Sequence, residues 1–350
     1  MKKIKLVGAT GYGGLGLLEL ALGHPELQIG AVIATQDAGK KISDVWTYLR
    51  GYCDLPIWTP ESPEAQNCDA EITVFATPDG VGQKAAAAEI ARGRKVLDYS
   101  GDFRFNDANV FAEYAARLGK DPRHHAPELL PRSVYGLTEL HRAAIGRADL
   151  VGNPGCFAMS CILGLAPAVK RGLLASDGII CDCKSGVSGA GKKPAATHHY
   201  PERYENINAY RLSGHQHVME IERELSLLAA REIKITFTPQ VVPMCRGIMS
   251  CLYGRLTAGV TAAQALDAYR DFYADEKFVR VQDTAAGTGD VRGSNRCVIT
   301  VAPDERAGVF RVISHIDNLV KGQAGSALQN INVMCGYPED LGLNRVGMHP

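Results

Sequence analysis

The sequence predicts an α/β protein in which a doubly wound parallel sheet precedes an α+β domain with a largely antiparallel sheet. Apolar, strand-like runs alternate with helix-like runs throughout the first part of the chain, as in parallel sheets covered by helices. A glycine-rich turn follows the first of these runs. Beyond residue 156 the strand-like runs become longer and are separated by glycine-rich loops, which favours antiparallel pairing.

The elements of the first domain are predicted from this alternation. In chain order we predict a strand at residues 3–7, a helix at about 15–22, and strands at 28–34, 70–76 and 95–98, with an alanine-rich helix at 81–92 before the last strand.

The second domain is predicted from the longer apolar runs and from two amphipathic segments. A helix-like run at 159–169 is followed by predicted strands at 178–184, 233–239, 247–256 and 296–301, helices at 217–230 and 261–273, and a final helix-like run at 316–334.

Composition excludes several classes of protein. With 350 residues the chain is long enough for two domains, and its 46% apolar and 22% charged residues are typical of a globular protein. Lys+Arg and Asp+Glu each number 38, and this zero net charge argues against a general nucleic-acid or anionic-membrane surface. Met1-Lys2-Lys3 leads straight into the first predicted strand, and no apolar run approaches the ~20 residues of a membrane span, so we expect neither a signal peptide nor a membrane span.

The ten cysteines include no CxxC pair, so we expect reduced thiols in a cytoplasmic protein, most of them small core residues. Cys181 and Cys183 would point to the same side of a strand. A zinc site there is a weaker alternative, because no second ligand pair with suitable spacing follows. We therefore expect no metal.

A nucleotide site is predicted at the glycine-rich turn. Gly8, Gly11 and Gly14 follow the first strand, and a dinucleotide-type GxGxxG spacing occurs from Gly11 through Gly13 to Gly16. In either register a tight turn would bring phosphate to the backbone N–H groups of a helix N-terminus. The alternative is a glycine turn that binds no nucleotide.

The end of the second strand favours NADP over NAD. Asp37 lies late for a residue that would bind the ribose 2′-hydroxyl. Thr35, Lys40 and Lys41 are placed to receive a 2′-phosphate. The alternative is a solvated loop that holds the two lysines.

Cys156 is the predicted nucleophile. It follows Gly152-Asn153-Pro154-Gly155 and precedes a helix-like run, which would place its sulfur at a helix N-terminus. Backbone N–H groups and the helix dipole favour the thiolate there. Combined with a nucleotide site, an activated cysteine indicates covalent redox chemistry on an acyl group.

The proton donor or acceptor is expected in Gly214-His215-Gln216-His217. Either histidine could act as the base, and Glu220 or Glu222 on the following helix could orient it. Metal binding by the histidine pair is a third option that no further ligand cluster supports.

Two arginines and one loop are candidates for binding anions. The Ser/Gly-rich segment 185–193 follows a strand but lacks a P-loop ending, since Pro194 follows its lysines. Arg104 and Arg246 could bind a carboxylate or a phosphate bidentately. A flexible hairpin and two structural arginines are the alternatives.

Taken together, these segments resemble the N-acetyl-γ-glutamyl-phosphate reductase family, which belongs with the aspartate-semialdehyde and glyceraldehyde-phosphate dehydrogenases. The resemblance rests on ordered motifs that run from residue 8 to Gly342-Leu343: Gly8-Ala-Thr-Gly11-Tyr-Gly-Gly14, Tyr99-Ser-Gly-Asp-Phe-Arg104, Val134-Tyr-Gly-Leu137-Thr-Glu-Leu140, Gly152-Asn-Pro-Gly-Cys156, Ser185-Gly-Val-Ser-Gly-Ala-Gly191, His215-Gln-His217, Pro243-Met-Cys-Arg-Gly247 and Asn318-Leu-Val-Lys-Gly322.

The resemblance implies a Rossmann-type NADP-binding domain at 1–153, completed by a C-terminal helix at about 318–350, and a catalytic and dimerisation domain at 154–317. It implies that Cys156 forms a thioester with the substrate acyl group, that NADPH reduces it to N-acetylglutamate 5-semialdehyde, and that His217 is the catalytic histidine. It also implies a homotetramer or homodimer that acts on a small acyl phosphate in arginine biosynthesis.

The resemblance further implies two sets of binding residues. The cofactor set comprises Gly8, Thr10, Gly11, Tyr12, Gly13, Gly14, Thr35, Lys40, Ser188, Gly189, Asn318, Gln323 and Asn330. The substrate set comprises Arg104, Asn153, Ser185, Gly186, His215, Glu220 and Arg246.

Several positions depart from the family pattern, and the substrate stays open. Gln216 stands where Arg is usual, Val218-Met219 replace Thr-Pro, Phe157 replaces Tyr, and residues 323–326 vary. One methylene contributes only ~1–3 kcal/mol to discrimination, so an aminoadipyl phosphate is a rival substrate, as is an aspartyl phosphate. A nucleotide-binding protein without catalysis is a further alternative, although it would need neither Cys156 nor the histidines.

Overall fold

The computed structural model describes residues 1–343 and 346–348, and these form two compact units. Of the described residues, the first unit comprises Met1–Pro154 and 323–343, and the second comprises Gly155–Gly322 and 346–348. The sequence predicted that the first domain ends at residue 153 and resumes at about residue 318. In the structure the first unit ends at Pro154 and resumes at Gln323. The end of the predicted C-terminal segment includes residues 344, 345, 349 and 350, which lie outside the described residues.

The first unit is built on a parallel sheet of seven strands. Its elements up to residue 152 are β1 (Lys2–Val7), α1 (Tyr12–Leu22), β2 (Leu27–Ile33), α2 (Ile42–Val45), β3 (Ile57–Trp58), α3 (Pro63–Asn67), β4 (Ile72–Phe75), α4 (Gly82–Ala91), β5 (Lys95–Asp98), α5 (Ala108–Arg117), β6 (Val134–Tyr135), α6 (Thr138–Ile145) and β7 (Leu150–Gly152).

The order β3-β2-β1-β4-β5-β7-β6 is that of a doubly wound sheet, and every pairing between its described strands is parallel. The strand order reverses between β1 and β4, so the residues that follow these two strands lie at the switch point where such sheets bind ligands. The Rossmann-type prediction is confirmed. Helix α1 begins at Tyr12, three residues earlier than predicted, because Gly11 is its N-cap.

The second unit holds a mixed sheet. Its elements are α7 (Cys156–Lys170), β8 (Ile179–Ser185), α8 (Tyr200–Arg203), β9 (Asn208–Ala209), α9 (His217–Ala229), β10 (Ile235–Val241), β11 (Ile248–Arg255), α10 (Ala262–Phe272), β12 (Val279–Gln282), β13 (Cys297–Val301) and β14 (Val309–Ile316).

The order of the described strands in this sheet is β12-β13-β14-β11-β8-β10-β9. The β12–β13 and β8–β10 pairings are parallel and the other pairings are antiparallel, which confirms a largely antiparallel sheet.

Helix α7 forms the centre of the second unit. It packs against α9, α10 and strands β11, β13 and β14, and its residues Phe157 to Val169 are all buried. Gly164 allows close approach to the sheet, because a methyl group there would lie 2.3 Å from Leu252 Cδ1. The helix that carries Cys156 is therefore held on several sides.

The predicted helix at 316–334 is wrong in its first part. Ile316 ends β14, which pairs along its whole length with β11, and a π-helical turn at Val320–Ala324 precedes α11 (Gly325–Cys335). The alternation of partly exposed and buried residues in the first six positions of β14 is the signal for this strand. Within the described residues, no helix is both long and apolar enough to cross a membrane.

Candidate active site

The glycine turn of the first unit is closed by backbone contacts that only glycine permits. Gly8 has φ +87°, and a methyl group on it would lie 2.3 Å from the carbonyl oxygen of Ala76, the residue after β4. A methyl group on Gly14 would lie 2.5 Å from Gly8 O. The turn therefore brings the ends of β1 and β4 together with the start of α1, leaving a cradle free of side-chain bulk.

The N-terminus of α1 fits a pyrophosphate. Its N-cap, Gly11, is in an extended conformation and makes no side-chain capping bond, and the first turn contains no acidic residue. A methyl group on Gly13 would lie 2.7 Å from Nε2 of Gln323, so this predicted cofactor residue lies against the turn. Thr10 and Tyr12 are partly exposed beside it. Unpaired N–H groups and the helix dipole favour an anion there.

The residues predicted to bind the 2′-phosphate lie on the surface after β2. Thr35 is exposed. Lys40 Nζ lies 2.7 Å from Asp37 Oδ1, and the lysine side chain is 59% exposed. Lys40 therefore lies after the second strand, and its ammonium group forms an ion pair with Asp37.

Cys156 is the first residue of α7, and Gly155 is the N-cap. The thiol is half-buried, and it lies at the positive end of a helix dipole, which favours the thiolate. Gly322 packs directly against it, since a methyl group on Gly322 would lie 2.8 Å from Cys156 Cβ. Cys156, the predicted nucleophile, is therefore confined by the backbone before α11.

His217 lies beside the start of α7, the helix that begins with Cys156. A methyl group on Gly155 would lie 2.1 Å from His217 Nε2. His217 is the first residue of α9 and is buried, and its ring packs edge-on against Phe157 and His215. The structure thus brings together the predicted nucleophile and the predicted acid/base.

His215 supports His217. The backbone N–H of His217 donates to His215 Nδ1 at 3.2 Å, so this nitrogen carries no proton. Burial, with a smaller contribution from Arg211, lowers the pKa of His215 to about 4. A neutral imidazole that accepts a backbone bond is suited to hold the start of α9.

Glu220 also acts on the helix start. Its Oε2 accepts the backbone N–H of Gly155 at 3.0 Å, and the residue is buried. The carboxylate therefore caps α7 from α9, in addition to any contact with substrate. Glu222, the other candidate for orienting a histidine, instead accepts the N–H of Ile235.

The Ser/Gly loop after β8 is an ordered 3₁₀ turn at Val187–Ala190, unlike the flexible hairpin considered from the sequence. Its backbone bonds to the loop after β10: Gly186 N donates to Gly247 O, and Ser188 N donates to Cys245 O. Ser185 is buried, while Gly189 is exposed. Asn318 Nδ2 donates to Ser188 Oγ, and Asn318 Oδ1 accepts the N–H of Gly247. Asn318 therefore links these two loops.

The two candidate anion-binding arginines differ in their environment. Arg104 is 7% exposed and donates to the backbone carbonyls of Asn153 and Tyr99. Arg246 is paired with the fully buried Asp317, Nη2 to Oδ1 at 3.1 Å, and its side chain is 27% exposed. Of the two, Arg246 is the more exposed.

Asn153 and Asn330 form a buried amide network in the first unit. Asn330 Nδ2 donates to Asn153 Oδ1 and to Gly136 O, while Asn330 Oδ1 accepts from Thr138. Asn153 Nδ2 donates to Gln323 O. Both amides are buried, and their contacts tie α11 to the parallel sheet.

Two residues near the site were not singled out from the sequence. Burial raises the pKa of Tyr210, and the nearby Cys156 adds to this shift; the tyrosine ring also packs against His215. Asp317 anchors Arg246. An aromatic residue shortly before His-x-His, and an aspartate directly before the Asn318 motif, were the available signals.

Cys181 and Cys183 do point the same way, toward Cys161 on α7. Cys161 Sγ lies 3.5 Å from Cys183 Sγ, and burial raises the pKa of both thiols well above its usual range. Within the described residues, no group of three or more His, Cys, Asp or Glu side chains is arranged to hold a metal ion.

Comparisons with known proteins agree with both units. The family model described as the semialdehyde dehydrogenase NAD binding domain matches residues 3–148, and the one described as the dimerisation domain matches residues 156–318. The chain is 44% identical to the N-acetyl-gamma-glutamyl-phosphate reductases of Geotalea daltonii and Geobacter sulfurreducens, and 41% identical to that of Acidithiobacillus ferrooxidans. In each case the match covers all of both chains.

Solved structures share the fold. An aspartate semialdehyde dehydrogenase II from Vibrio cholerae, complexed with ASA, superposes with a TM-score of 0.70 at 17% identity, covering 96% of this chain and 98% of that one. The aspartate semialdehyde dehydrogenase with NADP from Candida albicans has a TM-score of 0.65 at 16% identity, covering 96% of this chain and 98% of that one.

Proposed function

This chain belongs to the N-acetyl-gamma-glutamyl-phosphate reductase family of semialdehyde dehydrogenases, and on that premise we propose that it reduces N-acetyl-γ-glutamyl phosphate to N-acetylglutamate 5-semialdehyde with NADPH, in arginine biosynthesis. The observation that carries the proposal is Cys156 as the first residue of a buried helix, with His217 packed against the preceding glycine. An acyl-transfer nucleophile beside a base is the arrangement that this chemistry requires.

Cys156 performs the covalent step. Its proton passes to His217, and the thiolate attacks the acyl carbon, forming a C–S bond as the C–O bond to phosphate breaks. Protonated His217 then donates its proton to the departing phosphate, leaving a thioester on Cys156. When bound, NADPH supplies the hydride that reduces this acyl group. Cleavage of the C–S bond then releases the aldehyde, and Cys156 recovers a proton from solvent.

The remaining site residues bind and orient. The glycine turn at residues 8–14, with Gln323, would hold the cofactor pyrophosphate at the start of α1, and Thr35 and Lys40 would take the 2′-phosphate. Arg246 and the N–H groups of the loop at residues 185–189 would bind the substrate's oxyanions. We further propose a cytoplasmic homodimer or homotetramer.

The reverse reaction tests the proposal directly. NADP reduction would be followed with N-acetylglutamate 5-semialdehyde, with and without inorganic phosphate, for the unaltered protein and for Cys156→Ser. We expect phosphate-dependent NADPH formation that disappears in the variant, while the variant still binds NADPH by fluorescence titration.

Two outcomes would contradict parts of the proposal. Activity with aminoadipyl or aspartyl semialdehyde in place of N-acetylglutamate semialdehyde would reassign the substrate, since the chain length of the acyl group is the feature that family membership conveys least directly. Loss of NADPH binding in Cys156→Ser would mean that Cys156 supports the fold of the cofactor site instead of reacting.

A further inference from the structure

Asp317, the residue directly after β14, accepts hydrogen bonds from three backbone N–H groups. It is fully buried. Its Oδ2 accepts the N–H of Gly293 at 2.7 Å, and its Oδ1 accepts the N–H groups of Leu319 and Val320 at 2.8 and 3.1 Å. Three backbone N–H groups fix both oxygens, so the carboxylate has a defined position before any side chain binds to it.

Arg246 binds to this fixed carboxylate by one edge of its guanidinium group. Nε and Nη2 both approach Asp317 Oδ1, at 3.4 and 3.1 Å. Among the described residues nothing accepts a hydrogen bond from Nη1, and the side chain is 27% exposed. A guanidinium group presents its N–H donors in a rigid plane, so anchoring one edge directs the other edge toward solvent.

The segment at residues 317–322, which begins with Asp317, also contacts Cys156, the proposed nucleophile. Gly322 N donates to the backbone carbonyl of Asp317 at 2.9 Å, and a methyl group on Gly322 would lie 2.8 Å from Cys156 Cβ. Asn318 bonds to Gly247, the residue after Arg246. Residues 317–322 therefore touch both the nucleophile and the arginine, and they set the arginine's placement relative to Cys156.

We propose that Asp317 is a positioning residue, which orients the free edge of Arg246 to bind an oxyanion of the substrate, either its carboxylate or the phosphate exchanged at Cys156. The inference rests on the proposed function, because it requires an anionic substrate at Cys156. Asp317 does not touch the substrate. It acts through Arg246 by keeping the guanidinium group at a fixed position and orientation.

The alternative is that Asp317 only closes the loop between β14 and α11. A purely structural carboxylate would change stability when replaced, and it would lower the fraction of active protein without altering substrate affinity. A positioning residue instead changes the Michaelis constant for the anion, because lost ground-state binding raises KM while kcat is retained. The split between KM and kcat therefore separates the two.

The experiment measures the reverse reaction with the full-length protein, varying semialdehyde and inorganic phosphate separately. The unaltered protein must first show phosphate-dependent NADP reduction; its absence contradicts the proposed function and not this inference alone. In Asp317→Asn we expect KM for one of the two anions to rise about tenfold or more while kcat stays within about threefold. Whether the semialdehyde or phosphate is affected identifies the oxyanion.

A double-mutant cycle with Arg246→Ala gives a second readout. If Asp317 acts through Arg246, the double variant should bind the anion no more weakly than Arg246→Ala alone. Additive losses in KM would overturn the inference, as would an unchanged KM in Asp317→Asn. Asp177→Asn is the matched control: it breaks another Asp–Arg pair of the same unit, to Arg255, at a site where both side chains are largely exposed, and should leave both constants unchanged.

Asp317→Glu covers the possibility that the asparagine variant does not fold. It keeps the charge but moves the carboxylate by one methylene group, so the arginine is held in a shifted position. We expect an increase in the same KM, smaller than in the asparagine variant, with cooperative thermal unfolding retained. A folded Asp317→Glu with both Michaelis constants unchanged would contradict a positioning function.

Discussion

Gly155 presents its Cα to the imidazole of His217, whose Nε2 lies 2.1 Å from the position a methyl group on Gly155 would occupy. The histidine therefore fills the space that the Cβ of any other residue would need. Because Gly155 is also the N-cap of the helix that begins with Cys156, the close contact fixes the histidine relative to the nucleophile. Glycine is needed at position 155 because a larger residue would collide with His217, and not because of its backbone conformation, since its φ of −71° is open to any residue.

Gly155→Ala should displace His217 and slow catalysis. We expect kcat to fall by about 100-fold or more, the usual contribution of a positioned acid/base, with NADPH binding retained. Steady-state kinetics and fluorescence titration would measure both. Gly146→Ala is the control, because a methyl group there meets its neighbours at ordinary distances of 3.6 Å or more. Comparable kcat values for Gly155→Ala and the unaltered protein would contradict the assignment of His217.

The two histidines should differ in their effect on catalysis. His217→Ala removes the proposed proton carrier, so we expect kcat to fall by about 10²–10⁴. His215→Ala removes one acceptor for a backbone N–H. The loss of such a bond corresponds to about 1 kcal/mol, so we expect kcat to fall only about fivefold. His215→Asn, which offers another acceptor, should recover part of this loss. Equal effects of the two alanine substitutions would show that the assignment is wrong.

His215 should make the protein less stable in acid. Burial lowers its pKa from 6.5 to about 4 in the folded state, so between these values the unfolded chain binds a proton that the folded chain does not. Stability therefore rises with pH across this window and is lost as pH falls, by about 3 kcal/mol between pH 7 and pH 4.

Urea unfolding at pH 4, 5, 6 and 7 would measure this contribution in the unaltered protein and in His215→Phe. The phenylalanine variant retains a ring but cannot be protonated, so its stability should depend less steeply on pH. Taking the difference between the two proteins cancels the other titrating groups. If the stabilities of the two proteins depend on pH in the same way, the pKa of His215 is not lowered in the folded state.

The ion pair between Lys40 and Asp37 should tune cofactor choice. Asp37→Asn frees Lys40 to bind a 2′-phosphate, and Asn tolerates the positive φ of 63° at this position. Because an exposed pair is worth up to about 1 kcal/mol, we expect the ratio of kcat/KM for NADPH to that for NADH to rise about threefold. Lys40→Ala should lower the same ratio. If neither substitution changes it, the 2′-phosphate is bound elsewhere.

The glycine-rich turn and the position of Cys156 at the start of a helix could be predicted from local sequence. Glycines at 8, 11 and 14 have few uses after an apolar strand other than a tight turn, and the structure closes that turn against Ala76. Cys156 is preceded by Gly and Pro and followed by an apolar run, so its place at a helix start follows from capping preferences. Both features depend on residues adjacent in the chain.

The environment of residues whose partners are distant in the chain could not be predicted from local sequence. Arg104 and Arg246 appear equivalent as candidate anion binders in the sequence, yet one is engaged by backbone carbonyls and the other is anchored by Asp317. Strand β14 was not predicted, and its last residue, Ile316, was assigned to a helix, because its pairing partner, β11, lies more than 50 residues earlier in the chain. The sequence of an apolar run does not indicate which distant strand will pair with it.

By itself, the sequence determined a nucleotide-binding sheet, a mostly antiparallel second domain, and a cysteine at the start of a helix, because turns, caps and hydrophobic periodicity are local properties of the chain. Only the tertiary structure decided that His217 packs on Gly155, that Glu220 caps the helix of Cys156, and that Asp317 holds Arg246. Those contacts join residues far apart in sequence, and their geometry is set by how α7, α9 and the sheet pack together.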